Sequence, residues 1–519
     1  MAITAPSPPD QKKYLFAFTL AAFALLLPWL YFVIQLRIPG DAAFLFTGAQ
    51  HILAGHAMSE YFYDNNPPMS FLIYLPAALL NQLGIPPAVS ILSYTMVLIV
   101  LCYGILLICL SKWKDIPPYI TAIIIGGYLT GITTLCTQEF NQKDQLISIA
   151  LMPFLFLQLT ITYKHDLPKA FVIIALAFLT PFILIKPHYG LLPTALLVHR
   201  YIKNKSIKEC ILAADTIILA LGCIIYGIAI LMFFPDFLSK TLPMALKLYV
   251  YDTLGLKTTQ TSIAFIIFAG ILLSLALYSK PENRPKSFPL LFFPVMLILS
   301  TIPFWVQNKG FGLHMLPMLP FLLTSIAQTV YLYIPHTTLK KATPFLPLTV
   351  IILLGYAMMG MQNKVSTHED YKNSSLAKII HEKAGKGSFF FETYSTNIFY
   401  TQTLYINNTI GSRFPSLWFL SNIGALPAKE KNRLLDKFCT MMAEDLQRYK
   451  PKLIGLLDHD NDPHQNLMDV SFKRHAALQE QWKHYKYDST ITIKRSELSD
   501  FFKKEQTEVT YNLFVRKEN

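Results

Sequence analysis

The stretch 37–68 reads RIPGDAAFLFTGAQHILAGHAMSEYFYDNNPP. It follows a long apolar run and carries two acids, Asp41 and Asp64, among aromatic and small residues. Its meaning depends on which side of a membrane it occupies, so the flanking chain comes first. Residues 14–36 form an apolar segment of about 23 residues, enough to cross ~30 Å of hydrocarbon at 1.5 Å per residue. It is too long for a typical signal-peptide core, and no small-x-small cleavage pattern follows it, so it reads as an uncleaved anchor.

Composition agrees with a membrane protein. The 519 residues are 53% hydrophobic and only 15% charged, with mean hydropathy +0.39; ordinary soluble domains carry roughly 25% charged residues. Ten further apolar runs follow, at approximately 87–110, 118–136, 145–162, 170–186, 188–200, 211–234, 261–278, 288–305, 313–334 and 343–361. The net charge of +13 therefore reads as loop charge that orients helices, and nucleic acid is not an expected partner. Cys102, Cys109, Cys136, Cys210 and Cys223 lie in or beside apolar runs, and Cys439 lies in the polar tail. With no CxxC pair, they suggest neither a disulfide framework nor a zinc site.

Residues 67–83 are amphiphilic and short. If they cross, the run 170–199 must be one span with Lys186 inside hydrocarbon. If they lie on the surface, that run breaks at Lys186-Pro187-His188 into two spans. The surface arrangement places 15 basic residues inside and 7 outside before the tail, against 12 and 9 for the alternative. A charge at mid-bilayer is costly, so the surface arrangement is preferred. It predicts eleven spans, a cytoplasmic amino end and an external carboxyl end.

Residues 1–361 are thus expected to form a transmembrane domain whose first outer loop is 37–86. Residues 362–519 are expected to form an extracytoplasmic α/β domain. There SLAKIIHEKAG and AKEKNRLLDKFCTMMAEDLQRY read as helices, and SFFFETY, KLIGLLD and TEVTYNLFVRK as strands.

This topology turns the polar residues of chemical interest outward together. They are Asp41, His51, His56, Glu60 and Asp64; Glu139, Lys143 and Asp144 in TQEFNQKDQ; Lys186 and His188 in IKPHYG; and Lys309 and His314 in QNKGFGLH. Such a set offers a general base, carboxylates for hydroxyl groups or a divalent metal, and cations for a phosphate. A sugar carried on a lipid phosphate needs such a site at a membrane surface. There is no P-loop or GxGxxG pattern to hold a nucleotide.

The same stretches resemble the GT-C superfamily of polytopic membrane glycosyltransferases. IPGDAAFLFTGAQHILAG with YDNNPPMSFLIYLPAALLNQLG is similar to their first extracytoplasmic loop, and NQKDQLISIALMPFLFL, IKPHYGLLP and KGFGLHMLPMLPFL follow in order. The resemblance spans roughly residues 14–334, and its specificity lies in the ordered set. It takes in the protein mannosyltransferases and the enzymes that add aminoarabinose to lipid A or arabinose to cell-wall glycans. The tail stretch SRFPSLWFL is similar to uncharacterised bacterial members.

It implies a GT-C-like fold with juxtamembrane helices, in a bacterial inner membrane. The implied partners are a polyprenyl-phosphate-sugar donor, a glycan or glycolipid acceptor and membrane lipid, with Asp41 as general base. A second acid at the start of the fourth span is implied as well, for which Glu139 and Asp144 compete. Asp41 is followed by Ala42 rather than a second acid, which departs from the protein mannosyltransferases.

Plainer readings stand beside these. Asp41 suits a helix N-cap and Asp64-Asn65-Asn66 a turn. Asp144 suits a helix start, and Lys186 a snorkelling lysine. Lys309 and His314 suit interfacial anchors, and Arg413 and Trp418 either glycan contact or domain docking. Tyr249, Tyr251 and Trp305 read as interfacial aromatics. Rival functions are a lipid-linked glycan ligase or polymerase with a diphosphate donor, and a transporter.

Overall fold

A computed structural model describes residues 11–114, 116–248, 255–279, 289, 291–309, 312–333, 345–360, 367–393, 399–406, 408–417, 423, 426–458, 475–494 and 508–517. Tyr249, Tyr251 and Trp418 lie outside the described residues. The chain divides into two compact units. One comprises Met1–Ile34, Ser93–Ile228 and Thr253–Gln362; the other comprises Gln35–Leu92, Ala229–Asp252 and Asn363–Asn519.

The first unit is a helical membrane bundle. Among the described residues seven helices are long and apolar enough to cross a membrane, and three shorter apolar helices accompany them. At its centre are Pro118–Ile132, continued by a 3-10 turn to Glu139, and Lys143–Thr162, both buried almost throughout. Helices that are apolar on every face must be enclosed by protein or by lipid. These two are enclosed by protein. Ala214–Phe233 is the opposite case, with Ile224 and Ile225 largely exposed, as lipid-facing side chains are.

Close packing at the centre depends on small residues. Gly127 and Gly131 form a GxxxG pair, which lets helix backbones approach in an apolar solvent. A Cβ on Gly131 would lie 2.7 Å from the Pro320 nitrogen, and one on Gly127 would meet Thr324. Both contacts are on Leu319–Tyr333. Gly355 lies against Thr130 and Thr134 in the same way.

Among the described residues, each of the eleven predicted runs forms helix. The run 170–199 breaks where expected: Lys169–Leu184 ends, Lys186 is extended before Pro187, and Pro187–Gly190 makes a 3-10 turn into Leu191–Asn204. Extended backbone is what a residue before proline favours. Leu191–Asn204 has 14 residues and carries a buried Arg200, so it is not one of the ten apolar helices. Residues 67–83 form two helices, Met69–Leu72 and Leu75–Gln82. Neither approaches the ~20 residues that a span needs.

The second unit contains a four-stranded sheet: β1 (Phe389–Phe391), β2 (Leu453–Leu457), β3 (Tyr485–Lys494) and β4 (Glu508–Arg516). The order is β1-β2-β4-β3, with β1 and β2 parallel and the other pairs antiparallel. The parallel pair needs a crossover, and Ala428–Tyr449 lies in it. Side chains alternate across the sheet. Phe390 and Ile454 join Leu434, Phe438 and Leu446 on one face, while Phe389, Phe391 and Leu453 join Leu376 and Ile380 on the other.

Strand β3 was not anticipated from its sequence, YKYDSTITIK. Its alternation is broken by a register shift between Tyr487 and Ser489, and Tyr487 is largely exposed. Ser375–Ala384 forms as expected and ends on Gly385 at φ +56°, a left-handed conformation that glycine takes without strain.

Candidate functional site

Within the first unit, four helix ends bring polar residues together. Thr134–Glu139 closes one helix, and Asn141 then adopts φ +72°, which asparagine tolerates better than most residues. This turn delivers Lys143 and Asp144 as the first two residues of Lys143–Thr162, both buried. The Asn141 amide donates to Gln145 Oε1 at 2.6 Å, which holds the turn closed.

Asp144 does more than favour a helix start. Its Oδ1 lies 2.6 Å from Lys186 Nζ, and the carboxylate is fully buried. Lys186 also donates to Gln307 Oε1 at 3.0 Å. Gln307 ends Phe292–Gln307, after which Asn308 turns at φ +50° into the buried Lys309. The next turn, Gly312–Met318, holds His314. Tyr189 Oη donates to the His314 carbonyl at 3.4 Å, and Ser148 Oγ to the Leu316 carbonyl at 3.1 Å.

The resulting cluster is rich in cations. Lys143, Lys186, His188 and Lys309 are all within electrostatic reach of the His314 ring. His188 in turn senses both Lys186 and Asp144. Buried polar atoms there include Asp144 Oδ2 and His188 Nε2, which have no hydrogen-bond partner among the described residues. Converging ammonium donors suit a phosphate group, and a buried acceptor oxygen suits a hydroxyl.

Five residues expected from the sequence, Asp144, Lys186, His188, Lys309 and His314, therefore meet in one place. Glu139 stands half-buried at the preceding turn, where its Oε2 accepts from the Gln142 side chain. Lys143, one of the outward polar residues read from TQEFNQKDQ, joins the five. Gln307 was not among those residues; it opens the quoted QNKGFGLH, so adjacency was the available signal.

Asp41 and Asp64 belong to the second unit. Asp41 is the second residue of Gly40–Leu53 and is partly exposed; the N-cap is Pro39. The capping position is thus filled by another residue, although an acid in the first turn still favours the helix dipole. Asp64 is 5% exposed. It accepts from the Asn66 amide at 3.2 Å and from the Asn66 side chain, which is turn chemistry. Phe44 of the Asp41 helix packs edge-on to Tyr400 at 5.0 Å. Burial raises the Tyr400 phenol pKa, with smaller contributions from Tyr449, Asp64 and Asp445.

Arg413 is a docking residue. Its Nε is 2.7 Å from Asp445 Oδ1 and its Nη2 is 2.8 Å from Glu444. Its Nη1 donates to the Ser59 carbonyl at 3.2 Å, and its own carbonyl accepts from the Tyr63 amide at 2.8 Å. The guanidinium thus ties the first loop to Ala428–Tyr449. The 229–252 segment joins them: Ser59 Oγ donates to Asp236, and Tyr63 Oη to the Lys240 carbonyl at 3.2 Å. Among the described residues, no group of three or more His, Cys, Asp or Glu side chains could hold a metal ion.

No family model and no curated relative matches this sequence. Among solved structures, it is similar to the arabinofuranosyltransferase AftD from mycobacteria, seen by single-particle cryo-EM. That similarity has 11% identity and a TM-score of 0.28, and covers 99% of this chain and 40% of the other. This chain therefore spans well under half the length of that protein.

Proposed function

We propose that this chain is a polytopic membrane glycosyltransferase of GT-C type. It would transfer a sugar from a polyprenyl-phosphate donor to a glycan or lipid-linked acceptor at the periplasmic face of a bacterial inner membrane. The observation that carries this reading is the convergence of Lys143, Lys186, His188 and Lys309 on His314, with Lys186 paired to the buried Asp144, in the membrane unit. A buried set of ammonium donors fits the phosphate of a lipid-linked sugar. The resemblance of the first outer loop supplies Asp41 as base, and the same reading takes Asp64 and Glu139 as further substrate contacts.

The step balances without another reactant. The acceptor oxygen attacks the anomeric carbon, and its proton passes to the Asp41 carboxylate. The bond from that carbon to the phosphate oxygen breaks, and its electron pair leaves on the polyprenyl phosphate. Attack opposite the leaving group inverts the anomeric centre. The cationic cluster is assigned to the charge that grows on the departing phosphate, where such stabilisation is often the largest catalytic contribution.

The test is transfer by the purified chain in lipid nanodiscs, with defined polyprenyl-phosphate sugars and a fluorescent glycan acceptor. Asp41→Asn is expected to slow transfer by about 10²–10⁴-fold, the usual contribution of a general base. Lys186→Ala is expected to slow it by about 10²–10³-fold, as loss of one charge-stabilising donor does. Full activity in Asp41→Asn would overturn the base, and full activity in Lys186→Ala would overturn the phosphate site. Turnover of diphosphate-linked donors alone would favour a glycan ligase or polymerase instead.

A further inference from the structure

A second basic site lies in the membrane unit, at the other end of the same central helix. Lys143–Thr162 begins at the cationic cluster and runs for 20 residues, about 30 Å at 1.5 Å per residue. That length matches the hydrocarbon core of a bilayer. Just beyond its far end is a cavity of about 380 Å³. Lys164, Arg200, Asn204, Lys208 and Glu209 supply its polar wall, and Leu212 is among its apolar residues.

The floor is anchored by a buried ion pair. Arg200 is 2% exposed, and its Nη2 lies 2.8 Å from Asp215. Its Nε donates to Thr162 Oγ1 at 3.1 Å. Its Nη1, also buried, has no hydrogen-bond partner among the described residues. A buried guanidinium N–H left without an acceptor is costly, and Arg200 is one of the residues that line the cavity. Nearby, burial and the charge of Lys164 lower the Lys203 pKa, a sign of crowded positive charge.

Glu209 occupies the place an anion would take. Lys164 Nζ lies 3.1 Å from its carboxylate, and Asn204 Nδ2 donates to it at 2.8 Å. Both side chains of this ion pair are well exposed, 67% for Lys164 and 43% for Glu209. Such surface pairs contribute little stability, so a phosphate can replace the Glu209 carboxylate at small cost.

The surroundings say where that phosphate comes from. Ile202, Ile207, Ile211 and Leu212 are each more than half exposed around the site. Apolar side chains of this size belong against acyl chains, and a free phosphate in water has no use for them. Basic pockets between membrane helices, where the bilayer meets water, are suited to anionic headgroups.

We propose that this cavity binds the phosphate of an anionic membrane lipid, on the membrane face opposite the Lys143–Lys186–Lys309 cluster. The lipid phosphate meets Arg200, Lys164, Lys208 and Asn204, while its acyl chains run over Ile211 and Leu212. The site is independent of the sugar-transfer chemistry.

The test uses the full chain purified in neutral detergent and titrated with dioctanoyl phosphatidylglycerol, with melting temperature and native mass spectrometry as readouts. The expected result is saturable binding of one lipid with a higher melting temperature, while dioctanoyl phosphatidylcholine binds at least tenfold more weakly. Lys164→Ala with Lys208→Ala leaves the buried pair intact and should weaken binding at least tenfold. Glu209→Gln should tighten it several-fold. Equal binding of the two lipids, or unchanged affinity in the double variant, would overturn the proposal. Inorganic phosphate that competes at the same concentration as the lipid would show a free-phosphate site and overturn the lipid assignment.

Discussion

At the scale of single residues, His51 and His56 make a sharp prediction. Their Nδ1 atoms are 3.0 Å apart, so at least one must be unprotonated to accept the hydrogen bond. Burial first, and the charge of His56 second, lower His51 from 6.5 to about 4. The unfolded chain then takes up a proton that the folded loop refuses. The stability contributed is full above pH 6.5 and is lost as pH falls through 4. The melting temperature of the solubilised chain should therefore drop between pH 7 and pH 4.5, and His51→Gln should drop less. An identical slope in the variant would remove His51 as the cause. This pair was visible in the sequence only as two polar residues, because its hydrogen bond depends on the turn at 54–57. Lys186 was easier to read, since a lysine before proline inside an apolar run marks a helix break. Gln307 was harder, since only its place at the head of QNKGFGLH pointed to it, and the ammonium that it accepts from lies 121 residues away in sequence.

Among elements, the hydrophobic pattern carried most of the fold. Among the described residues, each of the eleven apolar runs forms helix because a chain in hydrocarbon must satisfy its backbone internally. What the pattern did not reveal is which helices lie at the centre, since lipid-facing and protein-facing helices are equally apolar. The small residues do show it. Gly131 faces the backbone of Pro320, where a Cβ would lie 2.7–2.8 Å from main-chain atoms that cannot rotate aside. Gly131→Ala is therefore expected to cost about 1–3 kcal/mol, the usual range for overpacking. Gly270, in Gly255–Tyr278, has nothing within 4 Å of an added Cβ. Gly270→Ala should leave the melting temperature unchanged or slightly raised, as alanine favours helix. Equal melting temperatures for the two variants would contradict the close helix approach.

For the molecule as a whole, the change to polar composition near residue 362 announced an α/β tail, and its first, second and last strands were legible, the last from its alternation. That the first loop and the 229–252 segment share a compact unit with that tail was not, because the contacts join residues hundreds of positions apart. Tyr63, Met244 and Leu248 complete the same apolar cluster as Phe414, Phe438 and Leu446. Arg413 is the polar counterpart of that cluster and tests it best. Removing one partner of a buried ion pair typically costs about 3–5 kcal/mol, because the other charge stays buried. Here Asp445 is 2% exposed, and burial holds it up to about 6 even against the pull of Arg413. Without the guanidinium the carboxyl has still more reason to be protonated, so acid relieves the defect. Arg413→Ala should therefore open 55–66 to limited proteolysis at pH 8 and much less at pH 5. Arg413→Lys, which keeps the charge but not the forked geometry, should fall between the wild type and Arg413→Ala. Wild-type protease resistance of Arg413→Ala at pH 8 would show that the apolar cluster alone holds the loop.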